Sequence, residues 1–245
     1  MSEMTKEDAI KLVRIDAWGE LEKLPLELRK NREIVLEAVK TDGLVLSKVD
    51  ESLRNDREIV MAAVKSIGGA LRYTSDTIRK DREVVMAAVM SGGYALRYAD
   101  EMLTKDREIV LAAVQHDGTA IISADKSFNN DEEIVLEALK SFGPAFEYAD
   151  ESFRKNRKIV LSAVKMDGIA LGFVDDKFKS DKEIVLAAVQ SNGHALRFAD
   201  KSLKKDTDVV VAAIKNRADS LQYADKSFQD DPDFKKIIRL HPVDL

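Results

Sequence analysis

The histidines are the first residues to test for chemistry, because imidazole binds metals and transfers protons near neutral pH. The 245-residue chain has three of them, His116, His194 and His241. They form no H-E-x-x-H pair, and no other spacing among them is that of a metal site. The chain also has no cysteine, which excludes disulfides and thiolate metal sites. The sequence therefore predicts no metal site and no cofactor.

The other candidates for catalysis have simpler roles. Adjacent acids such as Asp175-Asp176 and Asp230-Asp231 have the chemistry for general acid–base work, but they lie where helix N-caps are needed. A serine nucleophile needs a partnered base, and the recurring serines belong to a turn. Gly92-Gly93 lies outside any G-x-x-x-x-G-K-[ST] loop and follows no predicted strand, so it does not indicate a phosphate site. We therefore predict that the protein is not an enzyme.

A stretch that recurs every 25 residues organises the chain. Between Asp106 and Gly118 it reads D-R-E-I-V-L-A-A-V-Q-H-D-G, and near-copies begin at Asn31, Asp56, Asp81, Asp131, Asn156, Asp181 and Asp206. We number these units repeats 1 to 8, covering residues 31–230, and count the first residue of each as position 0. Regular periods of this length are typical of stacked repeat architectures.

The first half of each repeat predicts a helix. Asp or Asn at position 0 suits an N-cap, and the Glu common at position 2 suits the positive end of the helix dipole. Apolar residues at positions 3, 4, 5, 7 and 8 form a broad apolar face. Gly at position 12 of seven repeats predicts a helix end with a left-handed residue. Ala218 takes this place in repeat 8, where we expect a less regular turn.

The second half predicts shorter helical pieces. Apolar residues at positions 14, 15 and 18 fit a helix of about two turns. Asp at position 19 of most repeats then caps a final turn, which carries one more apolar residue at position 22. One repeat therefore consists of a long helix, a glycine corner, a short helix and a capped turn.

This pattern predicts an all-α fold, an α-solenoid with a right-handed superhelix, built from eight 25-residue repeats with capping helices at both ends. Residues 5–30 are interpreted as an N-terminal cap derived from a degenerate repeat. Thr5 with Asp8 resembles a capping box, whereas Trp18, Gly19 and Pro25 have no counterparts in the repeats. Residues 231–245 are interpreted as a C-terminal capping helix and tail.

Composition limits the function classes. A hydrophobic content of 45% is ample for a core, and no apolar run reaches the ~20 residues that span a bilayer. The polar, acidic N-terminus is unlike a signal peptide, which predicts a cytoplasmic protein without a membrane partner; secretion without a classical signal peptide stays open. The net charge of −5 gives no general attraction to nucleic acid or anionic lipid.

The tandem pattern D-R-E-I-V-L-A-A-V-x-x-x-G-x-A-L-R-Y-A-D-x-S-L resembles a repeat family called domain of unknown function 4116. The similarity covers residues 31–230 and is specific because the pattern recurs eight times in register. The resemblance implies a helical repeat array and a role in interaction. It supplies no catalytic residues.

Comparison among the repeats points to a partner site at the glycine corners. Positions 10, 11, 13 and 16 vary most, and several carry apolar residues where a solvated face should be polar. We predict a non-enzymatic scaffold that binds a protein or peptide through corner residues: Ile67, Met90, Tyr94, His116, Ile122, Phe142, Met166, Ile169 and His194. The alternative is that these corners pack on their neighbours and half-bury the same side chains.

A second hypothesis is binding of RNA or single-stranded DNA. An aromatic column recurs at position 17 beside arginines at position 16, and such rings stack on bases. The residues of these columns are Arg72, Tyr73, Arg97, Tyr98, Arg197 and Phe198. Arginines at position 1, such as Arg32 and Arg57, add a second stripe that the nearby Asp and Glu columns would neutralise. Packing between repeats explains the rings equally well.

Overall fold

Each repeat folds into three consecutive helical segments, as the sequence predicts. The computed structural model describes residues 4–232 and 234, and across these residues the regular structure is helical, with no strand. The chain divides into two compact units, Met1–Lys126 and Ser127–Leu245. The predicted all-α repeat architecture is confirmed. The right-handed superhelix stays a prediction.

The first segment of each repeat is the long helix. Its bounds in repeats 1 to 8 are Arg32–Thr41, Arg57–Ser66, Arg82–Ser91, Arg107–His116, Glu132–Leu139, Arg157–Met166, Lys182–Ser191 and Thr207–Asn216. Every long helix begins directly after the Asp or Asn at position 0. In repeat 3, for example, the Asp81 carboxylate accepts hydrogen bonds from the N–H groups of Glu83 and Val84. The predicted N-caps are therefore confirmed.

The second segment is a 3-10 helix, whose i+3 hydrogen bonds make it tighter than an α-helix. The eight are Gly43–Lys48, Gly68–Tyr73, Gly93–Tyr98, Gly118–Ser123, Gly143–Glu147, Gly168–Phe173, Gly193–Phe198 and Ala218–Tyr223. Most have six residues, which is two 3-10 turns, so the predicted length of the short helix is confirmed.

The third segment is the capped turn. It is α-helical at Glu51–Arg54, Asp76–Arg79, Glu151–Arg154, Asp176–Lys179 and Lys226–Gln229, and 3-10 at Leu103–Lys105, Lys126–Asn130 and Leu203–Lys205. The Asp50 carboxylate accepts from the N–H of Ser52 and thereby caps the turn of repeat 1. Ser75 takes over this role in repeat 2 through the N–H of Ile78.

The core forms where the long helices meet the 3-10 helices. Positions 3, 4, 7 and 8 of the long helix are buried throughout, as are positions 14 and 15 in repeats 1 to 7. Within each unit the long helices of consecutive repeats contact one another in one layer, and the 3-10 helices do so in a second layer. This layered stacking is that of an α-solenoid. The expectation that position 5 belongs to the core is wrong, because these residues, such as Met61 and Leu186, are only half-buried.

The reason for the corner glycines also differs from the expectation. No glycine among the described residues has a positive φ, so the left-handed helix end is wrong. The helix instead ends on an extended residue at position 11, such as Asp42 with φ −143°. A Cβ at Gly43, Gly68 or Gly93 would overlap the backbone carbonyl at position 7 of the following repeat. Glycine is required there because two backbones approach closely, not because the chain turns.

Repeat 8 has alanine at the corner. Ala218 occupies position 12, yet the 3-10 helix Ala218–Tyr223 has the same bounds as its counterparts, so the expected irregularity is wrong. No described residue of this corner has a positive φ, so alanine is compatible with the extended helix end.

Backbone hydrogen bonds also join consecutive repeats. The N–H at position 19 donates to the carbonyl at position 23 of the preceding repeat, as from Asp100 to Arg79 at 3.0 Å and from Asp200 to Lys179 at 2.8 Å. Side chains at position 10 add a second link: Ser66 Oγ accepts from the N–H of Gly43, and Asn216 Oδ1 accepts from the N–H of Gly193. These bonds satisfy polar groups that the corner would otherwise bury unpaired.

Residues before repeat 1 form the helices Lys6–Ile15, Ala17–Glu20 and Leu26–Arg29 and the 3-10 helix Leu21–Lys23. Thr5 accepts from the N–H of Asp8, as its capping box predicts. Lys6–Ile15 packs against the long helix of repeat 1. The cap assignment stays a prediction. The predicted C-terminal helix and tail lie outside the described residues, apart from 231, 232 and 234.

Replacing Gly93 by alanine should destabilise unit Met1–Lys126, because the added methyl group would overlap the carbonyl of Ala113 and force the two repeats apart. We expect a loss of about 1–3 kcal/mol in unfolding free energy, measured by urea denaturation followed by circular dichroism. The matched control is Ala218→Gly at the same position of repeat 8, which should cost at most about 1 kcal/mol. Equal losses in the two variants would contradict the close-approach explanation.

Candidate functional site

The exposed face of the long helices is a surface to which every repeat contributes. With about 100° between successive residues, positions 5 and 6 lie roughly 130° to either side of the buried face, and positions 2 and 9 lie opposite it. Position 5 is apolar in all eight repeats, and position 6 is alanine in five of them. Both positions are half-buried. Along the helix axis, positions 5 and 6 lie between position 2 near the start of the helix and position 9 near its end. The face therefore carries a central apolar row with a mostly polar row on each side.

In unit Met1–Lys126 this face contains a groove between the long helices of repeats 1 and 2. The groove has a volume of about 730 Å³. Leu36 from position 5 of repeat 1 lines it together with Met61 and Ala62 from repeat 2. Its ends are polar, with Arg57 and Glu58 on one side and Lys40, Lys65 and Ser66 on the other.

A groove at the same positions lies between repeats 7 and 8 of the other unit, with a volume of about 540 Å³. Leu186, Val211 and Ala212 line its apolar part, in place of Leu36, Met61 and Ala62. The two grooves are therefore built from the same repeat positions in different units. A long apolar side chain at position 5 and a small one at position 6 of the next repeat together leave the space open.

One rim of the face is a ladder of ion pairs between consecutive repeats. Arg57 at position 1 of repeat 2 contacts Asp81 at 2.8 Å and also pairs with Glu83, both from repeat 3. Equivalent arrangements begin at Arg32, Arg82, Arg157 and Lys182. Each step thus holds one cation and two carboxylates. The glutamates are the outermost groups, with 77% of the Glu108 side chain exposed, so this rim stays acidic.

The ladder shifts the acid–base equilibria of its members. The guanidinium of Arg32 holds the pKa of Asp56 below its ordinary value, and Arg57 and Arg82 do the same for Asp81 and Asp106. In each case the hydrogen bond to the cation outweighs burial, which acts in the opposite direction. The carboxylates therefore remain charged over the whole neutral range.

The opposite rim is formed by position 9. In unit Met1–Lys126 it carries Lys40, Lys65, Met90 and Gln115. Lys40 pairs with Glu37 at 2.8 Å, and the Met90 side chain is 66% exposed. This rim therefore has a lysine paired with Glu37 at repeat 1, is basic at Lys65 of repeat 2, and is apolar at repeat 3, where Met90 extends the row formed by Met86 and Ala87.

The predicted corner residues differ in exposure and fall in both units. Met90, Tyr94, His116, Ile122 and Met166 are exposed, whereas Ile67, Phe142, Ile169 and His194 are half-buried. Five of the nine, from Ile67 to Ile122, belong to the first unit and the other four to the second. Met90 alone among the nine occupies position 9 on the long-helix face. As a partner site these residues stay a prediction.

Two of the corner residues have structural contacts within the fold. His116 occupies position 10, and its Nδ1 accepts a hydrogen bond from the N–H of Gly93 at 3.3 Å, like the position-10 serine and asparagine described above. His194 Nε2 lies 2.8 Å from Asp219 Oδ1, and its ring meets the edge of Tyr223. These contacts join neighbouring repeats, which accounts for both histidines without a ligand.

The nucleic-acid columns are largely used within the fold. The six rings at position 17 are half-buried, and a Cβ on Gly172 would overlap the ring of Phe198, so this ring packs on the preceding repeat. The guanidinium groups of Arg72, Arg97 and Arg197 lie 4.7, 5.5 and 4.4 Å from the centroids of the rings that follow them. The rings are therefore less available for base stacking than the sequence pattern suggests.

Sequence reasoning missed the long-helix groove because it counted position 5 as core. The signal was present in the repeated pair of a long apolar residue and alanine at positions 5 and 6. These positions lie on the flanks of the helix, away from positions 3, 4, 7 and 8. Within the described part of the chain, no group of three or more His, Asp or Glu side chains is arranged to hold a metal ion. In the same part, none of the helices has the length and apolarity needed to cross a bilayer.

Comparison with known families gives one match. The family model described as domain of unknown function (DUF4116) matches residues 5–54, 31–78, 56–104, 106–154, 156–204 and 181–229. Each match covers about two of the 25-residue units, and together they include nearly all of residues 5–229. No curated protein and no solved structure matches the chain.

The ion-pair ladder should make the fold sensitive to acid. The pKa values of Asp56, Asp81, Asp106 and Asp206 are lowered from 3.8 by cations of the preceding repeat. Because the folded values lie below the unfolded ones, this stabilisation is complete above pH of about 5 and is lost as the pH falls from about 4 through the lowered values. The melting temperature, followed by circular dichroism, should fall across that range.

The control for this prediction is an Arg32→Gln/Arg57→Gln/Arg82→Gln variant, which removes three cations of the ladder but leaves the N-cap carboxylates in place. The melting temperature of this variant near neutral pH should be lower than that of the native chain. On acidification, the melting temperature of the variant should fall by a smaller amount. An identical acid response in both proteins would show that the ladder contributes nothing to the pH dependence.

Proposed function

The chain belongs to the DUF4116 family, and we propose that it is a non-enzymatic repeat scaffold that binds a protein or peptide on the exposed face of its long helices. The observation that carries this proposal is the half-exposed apolar row at positions 5 and 6, which is continuous through repeats 2 to 4 of unit Met1–Lys126 and is extended by Leu36 at position 5 of repeat 1. Apolar surface of this extent, bordered by charged rims, is typical of an interaction site.

The chemistry of the row supports a macromolecular partner. In repeats 2 to 4 it consists of Met61, Met86 and Leu111 with an alanine beside each, and the exposed Met90 extends it. Methionine is flexible and polarisable, so it adapts to the shape of an apolar partner. The two grooves are open to solvent, and their charged side chains lie at the two ends rather than in an enclosed pocket of the kind that most enzymes use.

The acidic rim argues for a peptide over a nucleic acid. Each step of the ladder has one cation for two carboxylates, so phosphates approaching this face would meet repulsion. The position-1 arginines that the nucleic-acid hypothesis would use are engaged in that ladder. A polypeptide with basic side chains at its edge suits the same rim.

The exposed corner residues Tyr94 and Ile122 provide a second possible location for the same function. They lie on the 3-10 layer, away from the long-helix face. A protein that binds there would use the variable positions rather than the repeated apolar row. The two locations are distinguished by substitutions at each.

We expect panning of a phage library of random peptides on the whole chain to enrich clones that need the long-helix face. These clones should lose binding to an Ala87→Glu/Met90→Glu variant, because a buried carboxylate opposes an apolar partner. Glu37 and Glu137 already occupy the position of Ala87 in repeats 1 and 5, so the fold accepts glutamate there. Binding is measured by enzyme-linked assay on the immobilised proteins.

Two control variants determine which surface the enriched clones bind. Met102→Glu changes a methionine that is 72% exposed on a capped turn, and the clones should bind it as they bind the native chain. Clones lost only with Tyr94→Glu/Ile122→Glu would move the site to the corners. Absence of enrichment, or clones that bind every variant equally, would refute the proposed peptide-binding face.

A further inference from the structure

We infer that the long-helix face of unit Met1–Lys126 binds an amphipathic α-helix, which lies across the long helices of repeats 1 to 4. One flank of this partner helix carries basic residues, and its other flank carries acidic residues at one end. This inference rests on the proposed function and specifies its partner. It follows from the width of the face, its repeat spacing and the signs of its two rims.

The width of the face matches a helix. Positions 2 and 9 form the two rims and are seven residues apart, which is about 10.5 Å along a long helix. Positions 5 and 6 lie midway between them. An α-helix with its side chains is about 10–12 Å across, so its apolar stripe would rest on the central row while its two flanks reach the rims.

The spacing along the unit matches the helical period. Packed helices lie about 8–10 Å apart, and two turns of a partner helix advance about 10.5 Å. Apolar residues at i and i+7 of the partner would therefore meet successive long helices, and the intervening i+3 and i+4 residues would enter the grooves between them. Four long helices span roughly 30 Å, which is the length of a helix of about 20 residues.

The rims assign the charges of the partner. The acidic rim carries Glu58, Glu83 and Glu108, which project beyond the ladder with 62%, 74% and 77% of their side chains exposed. The opposite rim carries Lys40, which shares its charge with Glu37, and Lys65, and it continues as Met90 and Gln115. A partner helix complements this pattern when one flank carries lysine or arginine and the other flank carries glutamate or aspartate opposite repeats 1 and 2. Because the acidic residues of the partner face only repeats 1 and 2, this pattern also determines which end of the partner helix lies at repeat 1.

Other peptide conformations suit the face less well. The described residues form no strand, so this part of the chain has no sheet edge to which an extended peptide could add. The groove between repeats 1 and 2 is lined by Leu36, Met61 and Ala62 and contains no aromatic side chain, whereas polyproline peptides bind aromatic-lined grooves. Flexible, methionine-rich surfaces are typical receptors for amphipathic helices.

The second unit lacks the continuous form of this surface. Its position 6 carries Glu137 and Ser162 in repeats 5 and 6, and its position 2 carries Lys158 in repeat 6. Both the apolar row and the acidic rim are therefore interrupted. This difference within one chain provides a matched control for the experiment.

The test uses a fluorescein-labelled synthetic peptide of about 20 residues, with leucines at i, i+3, i+4 and i+7 spacing, lysines along one flank and glutamates at one end of the other. A scrambled peptide has the same composition but no apolar stripe. Binding to the full chain is measured by fluorescence anisotropy, and helix formation by circular dichroism. We expect the patterned peptide to bind at least about tenfold more tightly than the scrambled one and to gain helicity on binding.

Protein variants locate the peptide. Ala87→Glu should weaken its binding at least about tenfold, whereas Ser162→Glu, the same charge at the same position of repeat 6, should leave it unchanged. Lys65→Glu should weaken the patterned peptide about fivefold. A peptide with serine in place of its glutamates should lose this sensitivity, because no acid then faces Lys65.

The outcomes separate this inference from the proposed function. If the patterned peptide binds no better than the scrambled one, or is equally sensitive to Ala87→Glu and Ser162→Glu, the helix inference is overturned. Phage clones that still require Ala87 and Met90 would then leave the peptide-binding proposal standing with a different partner conformation. Failure of both the synthetic peptide and the library would overturn both.

Discussion

The close contact between each glycine corner and the next long helix is the constraint on which the rest of the structure depends. The backbone lies so near the carbonyl at position 7 of the following repeat that a methyl group does not fit at Gly43, Gly68, Gly93, Gly168 and Gly193. Gly143 makes a similarly close approach to the Asp167 carboxylate. This approach fixes how consecutive repeats stack and brings the position-10 side chains within reach of the corner N–H groups.

The stacking divides the repeat positions among distinct tasks. Positions 3, 4, 7 and 8 are buried in the core, and positions 0, 1 and 2 form the helix caps and the ion-pair ladder. The rings at position 17 of the 3-10 helices are half-buried, and that of Phe198 packs against the preceding repeat. What remains on the long helices is the row at positions 5 and 6, with position 9 beside it. Position 5 is apolar in every repeat, whereas position 6 varies from alanine to serine and glutamate.

Variation within this plan gives the two units different surfaces. In repeats 2 to 4 alanine at position 6 keeps the row continuous, whereas Glu137 and Ser162 interrupt it in repeats 5 and 6. Neither change disturbs the core, because position 6 faces away from it. A repeat array of this kind can therefore change its exposed chemistry unit by unit while the contacts that hold it together stay constant.

The sequence by itself determined the local structure of this protein. The N-caps at position 0, the extent of the long helices, the two-turn segment after the corner and the buried positions 3, 4, 7 and 8 all follow from patterns within one repeat, since capping and helical periodicity act over a few residues. Only the tertiary structure decided what depends on two repeats at once. It showed that the corner glycines avoid a neighbouring carbonyl rather than adopt a left-handed conformation, that His116 bonds to the preceding corner, and that position 5 is left half-exposed. The physical reason is that a single repeat defines the directions of its side chains but not the position of its neighbour, and the neighbour decides which of those directions are buried.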